Sequence, residues 1–293
     1  MSIKIAIASG KGGTGKTTVS VNLYHFIKQY WTQSVQLVDC DVEEPNDALF
    51  FPDYRAEEPE NAEQQIPHIH TDICNFCRRC VDYCEFNAIV VIPPAQFAEV
   101  NPALCHSCGA CLHACNIAGA IEEKTHPIGQ ITSFNYQTPP PLIQGKLNIG
   151  SPMQTMVIKD LLKHQRITAD IQLLDAPPGT SCPVVATITP ADYTLLVAEP
   201  SPFGLHDMKL MINLLREIQK PFGVIINKAD NCFSETELYL RHNNIDILGQ
   251  IPYSTKYAKH YAQGDLLTYI PDDFKEIYKS IIVKIQNKLQ QHA

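Results

Sequence analysis

The stretch that decides the fold of this chain is Gly10-Lys11-Gly12-Gly13-Thr14-Gly15-Lys16-Thr17-Thr18. Two of its glycines, Gly10 and Gly15, enclose four residues, and Lys and Thr follow the second. An apolar strand is predicted before the stretch, at 3–8, and a helix after it, at 19–27, so the glycines fall at a strand-to-helix turn. Such a turn wraps closely around a polyphosphate with its N–H groups pointing inward, and the helix N-terminus adds partial positive charge. The stretch therefore predicts an α/β domain with a phosphate-binding loop.

Two side chains of this loop have expected tasks at a nucleotide. Lys16 would reach the β- and γ-phosphates, and the Thr17 hydroxyl would ligate Mg²⁺. A glycine-rich turn alone is weak evidence, but the full pattern between a strand and a helix is specific. The residues expected to hold the nucleotide here are Gly10, Lys11, Gly12, Gly13, Thr14, Gly15, Lys16, Thr17 and Thr18.

The composition is that of a chain with a sizeable core and many thiols. Apolar residues make up 45% of the 293 residues, the net charge is −8, and no apolar run is long enough to cross a bilayer. The start shows no signal-peptide pattern, so we expect a cytoplasmic protein without membrane attachment. An acidic chain gives no basis for nucleic-acid binding. Eleven cysteines then favour metal binding over disulfides, because the cytosol keeps thiols reduced.

A second strand, at 35–39, is predicted to end in Asp39-Cys40-Asp41. Its carboxyl end lies at the same sheet edge as the phosphate loop, where α/β proteins bind ligands. One carboxylate would lie near Mg²⁺, and the other would orient or deprotonate the attacking water. The alternative is that one of the two only caps the following turn.

The cysteines form two copies of one pattern. The spacing C-x₂-C-x₂-C-x₃-C is shared by Cys74, Cys77, Cys80, Cys84 and by Cys105, Cys108, Cys111, Cys115. Three cysteines at two-residue intervals on a tight turn can surround one iron–sulfur cluster, while the fourth lies too far away and serves the other cluster. Zinc also takes paired thiolates, but its sites usually use two C-x₂-C pairs per ion. The pattern therefore favours clusters over zinc.

Lys11 is not required to hold phosphates, and it makes the loop resemble the deviant P-loop of the family that includes MinD, ParA and the nitrogenase iron protein. There the early lysine reaches across a dimer interface to the partner's nucleotide, so the resemblance implies an ATP-dependent dimer, with itself or a related chain. The alternative is a solvated loop lysine. The resemblance also assigns Asp41 to the water and Asp39 to the surroundings of Mg²⁺. Lys11, Lys16 and Asp41 are thus the expected catalytic residues.

Two later segments carry the same resemblance. The predicted strand 171–175 ends in Asp175, and with Gly179 it resembles the family's Walker B and switch II. Asp175 would hold Mg²⁺ through water, and the Gly179 N–H would sense the γ-phosphate. Asn227 begins a run that resembles a base-recognition element and would bind the adenine, while the loop at Pro252 would close over the base.

The cysteine segment resembles a bacterial two-cluster ferredoxin inserted into the ATPase. The resemblance gives one [4Fe–4S] cluster the ligands Cys74, Cys77, Cys80 and Cys115, and the other the ligands Cys105, Cys108, Cys111 and Cys84. Proline commonly follows the fourth cysteine in that family, whereas Glu85 and Asn116 stand there in this chain. This departure removes no ligand but can change the local turn and the cluster potential.

Three cysteines lie outside the repeats. Cys182 matches the place of a cluster ligand in the nitrogenase iron protein, but that shared cluster needs a second cysteine, and none lies between Cys115 and Cys182. Cys40, Cys182 and Cys232 are therefore expected to be small buried thiols. In the tail, 274–289, apolar residues recur at helical spacing. This stripe is expected to cover the sheet, with a membrane-binding helix like that of MinD as the alternative.

The sequence thus predicts an α/β fold with a mostly parallel sheet covered by helices and an inserted small α+β ferredoxin-like domain. The expected ATPase domain is 1–55 with 125–293, and the insertion with its connector is 56–124. The resemblance implies an ATPase, using ATP, Mg²⁺ and two [4Fe–4S] clusters, whose nucleotide state gates electron transfer to or from a partner protein. The alternatives are a metallocentre or iron–sulfur maturation factor and a MinD- or ParA-like positioning or scaffold ATPase.

Overall fold

The computed structural model describes residues 2–135, 139–229 and 234–292. Its strands are β1 (Ile3–Ala8), β2 (Val35–Asp39), β3 (Glu60–Ile69), β4 (Ile89–Ile92), β5 (Phe97–Val100), β6 (Ile121–Ser133), β7 (Leu142–Leu147), β8 (Ile171–Asp175), β9 (Tyr193–Ala198), β10 (Phe222–Ala229) and β11 (Ile247–Pro252). Its α-helices are α1 (Lys16–Tyr30), α2 (Arg79–Asp82), α3 (Ala110–Ala114), α4 (Gln154–Leu161), α5 (Cys182–Ile188), α6 (Pro202–Glu217), α7 (Glu235–His242), α8 (Thr255–Gln263) and α9 (Asp272–His292).

A nine-stranded sheet organises the chain, in the order β11-β10-β9-β1-β8-β2-β7-β6-β3. Neighbours from β11 to β7 run parallel, whereas β6 pairs antiparallel with both β7 and β3. Every residue of β2, β8 and β9 is buried, as expected of parallel strands with helices on both faces. The predicted mostly parallel, helix-covered sheet is confirmed.

Two apolar layers enclose this sheet. One contains α1, α8 and α9, and the other contains α4, α5, α6 and α7. Helix α9 buries the stripe Phe274, Tyr278, Ile281, Ile282 and Ile285 against the first layer. The expectation that the tail covers the sheet is therefore confirmed. None of the helices in the described part of the chain has the length and apolar character needed to cross a membrane.

The antiparallel pair β3–β6 carries an excursion of the chain, residues 70–120. Pairing runs from Glu60 opposite Ile131 to Ile69 opposite Ile121. The excursion contains the short helices α2 and α3, and β4 and β5 form their own two-stranded antiparallel sheet. Its small core includes Ile69, Ile89 and Val91. Strand β3 lies inside the range expected for the insertion, 56–124, and β6 runs across the expected boundary between residues 124 and 125. The main sheet therefore continues into the expected insertion.

Two of the three cysteines outside the repeats can be placed. Cys40 is fully buried, as expected. The expectation of a buried thiol is wrong for Cys182, which is exposed because it lies in the first turn of α5, where the chain faces solvent. Cys232 lies outside the described residues.

Candidate nucleotide site and cysteine cavities

The phosphate loop joins β1 to α1 at the carboxyl edge of the sheet. Gly13 and Gly15 have φ of +78° and +89°, a left-handed conformation that favours glycine. Gly15 offers no capping side chain to α1, so the first N–H groups of the helix remain available to an anion. The loop lines a cavity of about 210 Å³ that Asp41 also lines. The backbone thus provides what a polyphosphate requires.

Lys16 and Asp175 form the buried centre of the site. Nζ of Lys16 lies 2.9 Å from Oδ2 of Asp175, and only 7% of the Lys16 side chain is exposed. Thr17 donates to the same oxygen at 3.1 Å, and Ser20 donates to Oδ1 at 2.5 Å. Burial opposes the charge of Lys16, but the ion pair with Asp175 outweighs it and raises the lysine pKa. Asp175 therefore contacts the two side chains, Lys16 and Thr17, that are expected to serve a nucleotide and its Mg²⁺.

Three buried carboxylates meet beside this pair. Asp39, Asp47 and Asp175 each have an oxygen within 4.8 Å of the others. The backbone N–H groups of Asp41, Asn46 and Asp47 donate to Asp39. Burial and the neighbouring charge of Asp175 raise the Asp39 pKa to about 7. Burial and the charge of Asp39 place the Asp47 pKa well above its ordinary value. Oxygen ligands at this spacing can hold Mg²⁺, whose charge would favour the ionised forms.

Asp47 was missed by the sequence reasoning. It begins the 3₁₀ turn Asp47–Phe50, and neither of its fully buried carboxylate oxygens has a hydrogen-bond partner among the described residues. Asp47 lies in an acidic stretch that is typical of a solvated connector, so its sequence context does not indicate a buried carboxylate. The one signal for burial is that the apolar run Ala48-Leu49-Phe50 follows it.

Asp41 and Gly179 lie near the phosphate loop. Asp41 is half-buried and lines the phosphate cavity. Burial raises its pKa to about 6, with Lys16 acting against this and Asp175 adding to it. Gly179 has a φ of +94°, and its N–H donates to the Ser9 carbonyl oxygen at 2.9 Å. That amide would have to leave Ser9 before it could contact a γ-phosphate.

Lys11 is held within its own chain by Glu199. The two side chains form an ion pair, Lys228 lies 3.4 Å from the other Glu199 oxygen, and Ser201 donates to Glu199 at 3.1 Å. Burial would raise the pKa of Glu199, but its bonds with Lys11 and the charge of Lys228 outweigh this and lower it. The sequence reasoning missed Glu199, although its position just after β9 places it at the ligand-binding edge. Lys11 must leave Glu199 before it can contact a nucleotide.

A second cavity, of about 240 Å³, is lined in part by Gly13, Gly15 and Thr18 of the phosphate loop. Asn227 and Pro252 line it together with apolar and aromatic side chains such as Ile251, Tyr257 and Phe274. Asn227 donates to the Thr14 carbonyl oxygen at 2.7 Å, which joins the end of β10 to the phosphate loop. A mostly apolar cavity with one amide suits a flat aromatic ring.

The repeated cysteines meet in two cavities, and each cavity combines both repeats. One is lined by Cys74, Cys77, Cys80 and Cys115. The other is lined by Cys84, Cys105, Cys108 and Cys111. The fourth cysteine of each repeat therefore lies with the first three of the other.

The backbone around the two cavities repeats as well. Phe76 and Ser107 have φ of 55° and 51°, and Arg78 and Gly109 have φ of 66° and 71°, at equivalent positions of the two loops. These left-handed residues turn each loop around its cavity. The N–H of Phe76 donates to the Cys74 sulfur at 3.3 Å. Four sulfurs around a turned loop fit an iron–sulfur cluster.

The fold and the phosphate loop together define a P-loop nucleotide-binding protein. Residues 5–267 match the family model described as the CobQ/CobB/MinD/ParA nucleotide binding domain. The chain belongs to this family. An uncharacterized protein of Methanocaldococcus jannaschii is 31% identical over 291 residues, which are 95% of this chain and 96% of that protein.

More distant similarities extend over nearly the whole chain. A protein of Pyrococcus horikoshii named iron-sulfur cluster carrier protein is 21% identical over 307 residues, covering 98% of this chain and 87% of that protein. The structure of the cell division ATPase MinD of Pyrococcus furiosus matches with a TM-score of 0.58 at 17% identity, covering 98% of this chain and 99% of that chain. The latter likeness shows that the fold is MinD-like.

Proposed function

We propose that this protein binds and hydrolyses ATP and that its nucleotide state gates electron transfer through two [4Fe–4S] clusters to or from a partner protein. The observation that carries the proposal is that one chain joins a complete phosphate loop to two cavities lined by four cysteines each. When bound, such clusters supply one-electron redox chemistry.

The nucleotide half rests on positioned charge. Lys16 would exchange Asp175 for the β- and γ-phosphates, which frees Asp175 and Thr17 for the surroundings of Mg²⁺. Asp39 would lie in the surroundings of Mg²⁺, and half-buried Asp41 would orient the attacking water. Phosphoryl transfer needs mainly such positioning and charge stabilisation. Asn227 and the cavity at Pro252 would hold the adenine.

The cysteine half rests on the two cavities. Cys74, Cys77, Cys80 and Cys115 would hold one cluster, and Cys105, Cys108, Cys111 and Cys84 the other. Burial raises the pKa of the free Cys111 thiol to about 11, so cluster binding would displace its proton. A complete set of eight cysteine ligands in one chain favours clusters that stay in the protein.

Aromatic packing links the helix after the phosphate loop to the segment that leads into β3. The Tyr24 hydroxyl, on the helix that follows the phosphate loop, lies 3.1 Å from the Tyr54 hydroxyl. The Tyr24 ring also packs edge-on against Phe51, which stacks on Tyr54. Tyr54 precedes β3, the strand that leads into the cysteine excursion. A shift of α1 on nucleotide binding would therefore be felt where the chain enters β3.

Dimer formation would give Lys11 a second possible partner, the nucleotide of the other subunit. The Lys11–Glu199 ion pair holds this lysine within its own chain, and a partner's nucleotide would compete for it. The two arrangements of Lys11 would form a bistable element whose balance depends on the nucleotide.

The test is a redox titration followed by EPR, on protein loaded anaerobically with iron and sulfide, with ATP, with ADP and without nucleotide. We expect the midpoint potential of at least one cluster to differ between the ATP and ADP states. Lys16→Met, which removes the charge that meets the phosphates, should give one potential in all three conditions. Equal potentials and equal rates of electron transfer to an acceptor in all three states of the unsubstituted protein would refute gating.

The second candidate is a cluster carrier or maturation factor, favoured by the name of the Pyrococcus horikoshii relative. Its test is incubation of the loaded protein with an apo-acceptor, with and without ATP. Iron and sulfide that move to the acceptor would support delivery, whereas clusters that stay in the protein would support the electron-transfer proposal.

A further inference from the structure

A group of metal-binding side chains lies on the β3–β6 pair, outside both cysteine cavities. His68 stands directly opposite Glu122 in the antiparallel register, and His70 is two residues further along the chain. Alternation along a strand places His68, His70 and Glu122 on one face. Ile69 and Ile121 point to the other face, where they line a cysteine cavity. The group therefore lies at the base of the excursion, on the face away from the sulfurs.

The three side chains are close enough to share one ion. One potential ligand atom from each lies within 4.8 Å of the others. Nε2 of His70 is 3.0 Å from Oε1 of Glu122, and the rings of His68 and His70 meet edge to face at 5.0 Å between centroids. His68 and Glu122 are exposed, and within 2–135, 139–229 and 234–292 the His68 imidazole has no hydrogen-bond partner. Its imidazole is free to turn toward the carboxylate.

The donor set points to a class of ion. Two imidazoles and one carboxylate suit divalent first-row transition metals such as Zn²⁺, whereas Mg²⁺ and Ca²⁺ prefer oxygen ligands throughout. With three protein ligands, at least one coordination position would remain for water. We propose that His68, His70 and Glu122 form a binding site for a divalent transition-metal ion of the Zn²⁺ type.

Such an ion would link the two strands that carry the excursion. His68 belongs to β3 and Glu122 to β6, so the metal would bridge the pair at the point where the excursion leaves the sheet. Hydrogen exchange at the backbone amides near this point, such as the His70 N–H that donates to the Ala120 carbonyl, should slow when the ion binds.

Lys124 places a positive charge beside the three candidate ligands. Its Nζ lies 3.2 Å from Oε1 of Glu122, the same oxygen that His70 contacts. An ammonium group there competes with a metal cation for the carboxylate and repels it. Removing this charge should strengthen metal binding, whereas it would weaken a simple hydrogen-bonded surface cluster.

The experiment uses the full chain loaded anaerobically with iron and sulfide. Crystals soaked in Zn²⁺ are measured on both sides of the zinc absorption edge, and Zn²⁺ affinity is measured by calorimetry. We expect an anomalous peak bonded to His68, His70 and Glu122, at least about a tenfold loss of affinity in His68→Ala and in Glu122→Gln, and tighter binding in Lys124→Gln. His242→Ala, at an exposed histidine of α7, is the matched control and should bind as the unsubstituted protein does.

The anomalous map locates the ion whether or not the cysteine cavities hold clusters, so this test is separate from that of the proposed function. A zinc peak confined to other positions would overturn the proposal. Equal affinity in His68→Ala, Glu122→Gln and His242→Ala would overturn it as well.

Discussion

Nζ of Lys16 and Oδ2 of Asp175 lie 2.9 Å apart in the interior of the protein and join the phosphate loop to the end of β8. Both groups belong to the expected nucleotide and metal surroundings. Binding of a nucleotide with Mg²⁺ would therefore exchange this buried ion pair for contacts with phosphate and metal. Removing one member of such a pair leaves the other charge without compensation.

Lys16→Met should destabilise the nucleotide-free protein as well as abolish ATP binding. The substitution leaves Asp39, Asp47 and Asp175 together without a buried cation. We expect a loss of about 3–5 kcal/mol in the free energy of unfolding, measured in urea near pH 8. Lys163→Ala, at an exposed lysine, is the control. Full stability of Lys16→Met at pH 8 would contradict the view that this ion pair stabilises the fold around the phosphate loop.

The stability of the nucleotide-free protein should fall as the pH rises from about 4 to about 7. Burial raises the pKa of Asp39 to about 7 and that of Asp41 to about 6, while unfolded aspartates titrate near 4. Between these values the folded protein keeps protons that the unfolded chain releases, so the contribution is complete below pH 4 and lost above pH 7.

Urea titrations across this window measure the effect. Asp175→Asn removes the charge that helps to raise the Asp39 pKa and should flatten the profile, because Asp39 then ionises more easily. An unchanged slope in Asp175→Asn would show that this charge does not contribute. Mg²⁺ with ADP favours the ionised carboxylates, so the stabilisation it provides should grow with pH over the same window.

Lys11→Ala should lower the rate of ATP hydrolysis at least about tenfold while leaving ATP binding by the monomer nearly unchanged. The reason is that Lys11 contacts Glu199 in this chain and is proposed to act on the partner's nucleotide. The measurements are phosphate release at several protein concentrations and equilibrium binding of a labelled ATP analogue. Lys163→Ala serves again as the control. Hydrolysis by Lys11→Ala at the unsubstituted rate would refute the cross-dimer role.

Gly15→Ala should displace Asn227. A Cβ at Gly15 would lie 2.1 Å from the Asn227 amide nitrogen, and the φ of +89° is unfavourable for alanine. The bond from Asn227 to the Thr14 carbonyl would be lost, and the nucleotide-free protein should be destabilised by about 1–3 kcal/mol.

Gly12→Ala is the matched control in the same loop. A Cβ at Gly12 meets nothing within 4 Å, so the unfolding free energy of the empty protein should change by less than about 0.5 kcal/mol. Chemical denaturation of both variants without nucleotide makes the comparison. Equal stability of the two would show that the close approach of Asn227 to Gly15 is unimportant.

Cys115→Ser and Cys77→Ser should damage the same cluster, although the two residues lie in different repeats. Both line one cavity, while Cys84 and Cys108 line the other. We expect Cys115→Ser and Cys77→Ser each to lose about half of the bound iron and to share one remaining EPR spectrum. Cys84→Ser and Cys108→Ser should share the other. Cys182→Ser should keep both clusters. A spectrum of Cys115→Ser that matched Cys108→Ser would reverse the ligand sets.

Local sequence was sufficient for the features that depend on spacing. The glycines from Gly10 to Gly15 predict the strand-to-helix turn because few other residues can adopt its conformation. Apolar runs ending in Asp39 and Asp175 predict strands that meet at one edge of a parallel sheet. The apolar stripe from Phe274 onward predicts a helix packed on the sheet, since its period matches that of a helix.

Contacts between distant parts of the chain were decided only by the tertiary structure. Asp47 lies in an acidic stretch with the character of a surface connector, yet the turn that starts at this residue buries it beside Asp39. Glu199 joins Lys11 because β9 pairs with β1, and no local pattern specifies such a partner. His68 and Glu122 meet through the register of β3 and β6, and a shift of one residue would move them to opposite faces.

The sequence by itself therefore determined the phosphate loop, the strands that end in aspartate and the two cysteine repeats, because local spacing and side-chain chemistry encode them. Only the tertiary structure decided which charges neutralise one another beside the phosphate loop, how far the sheet continues into the expected insertion and that Cys182 faces solvent. Strand order, register and burial bring these groups together or apart, and each of them depends on the whole chain.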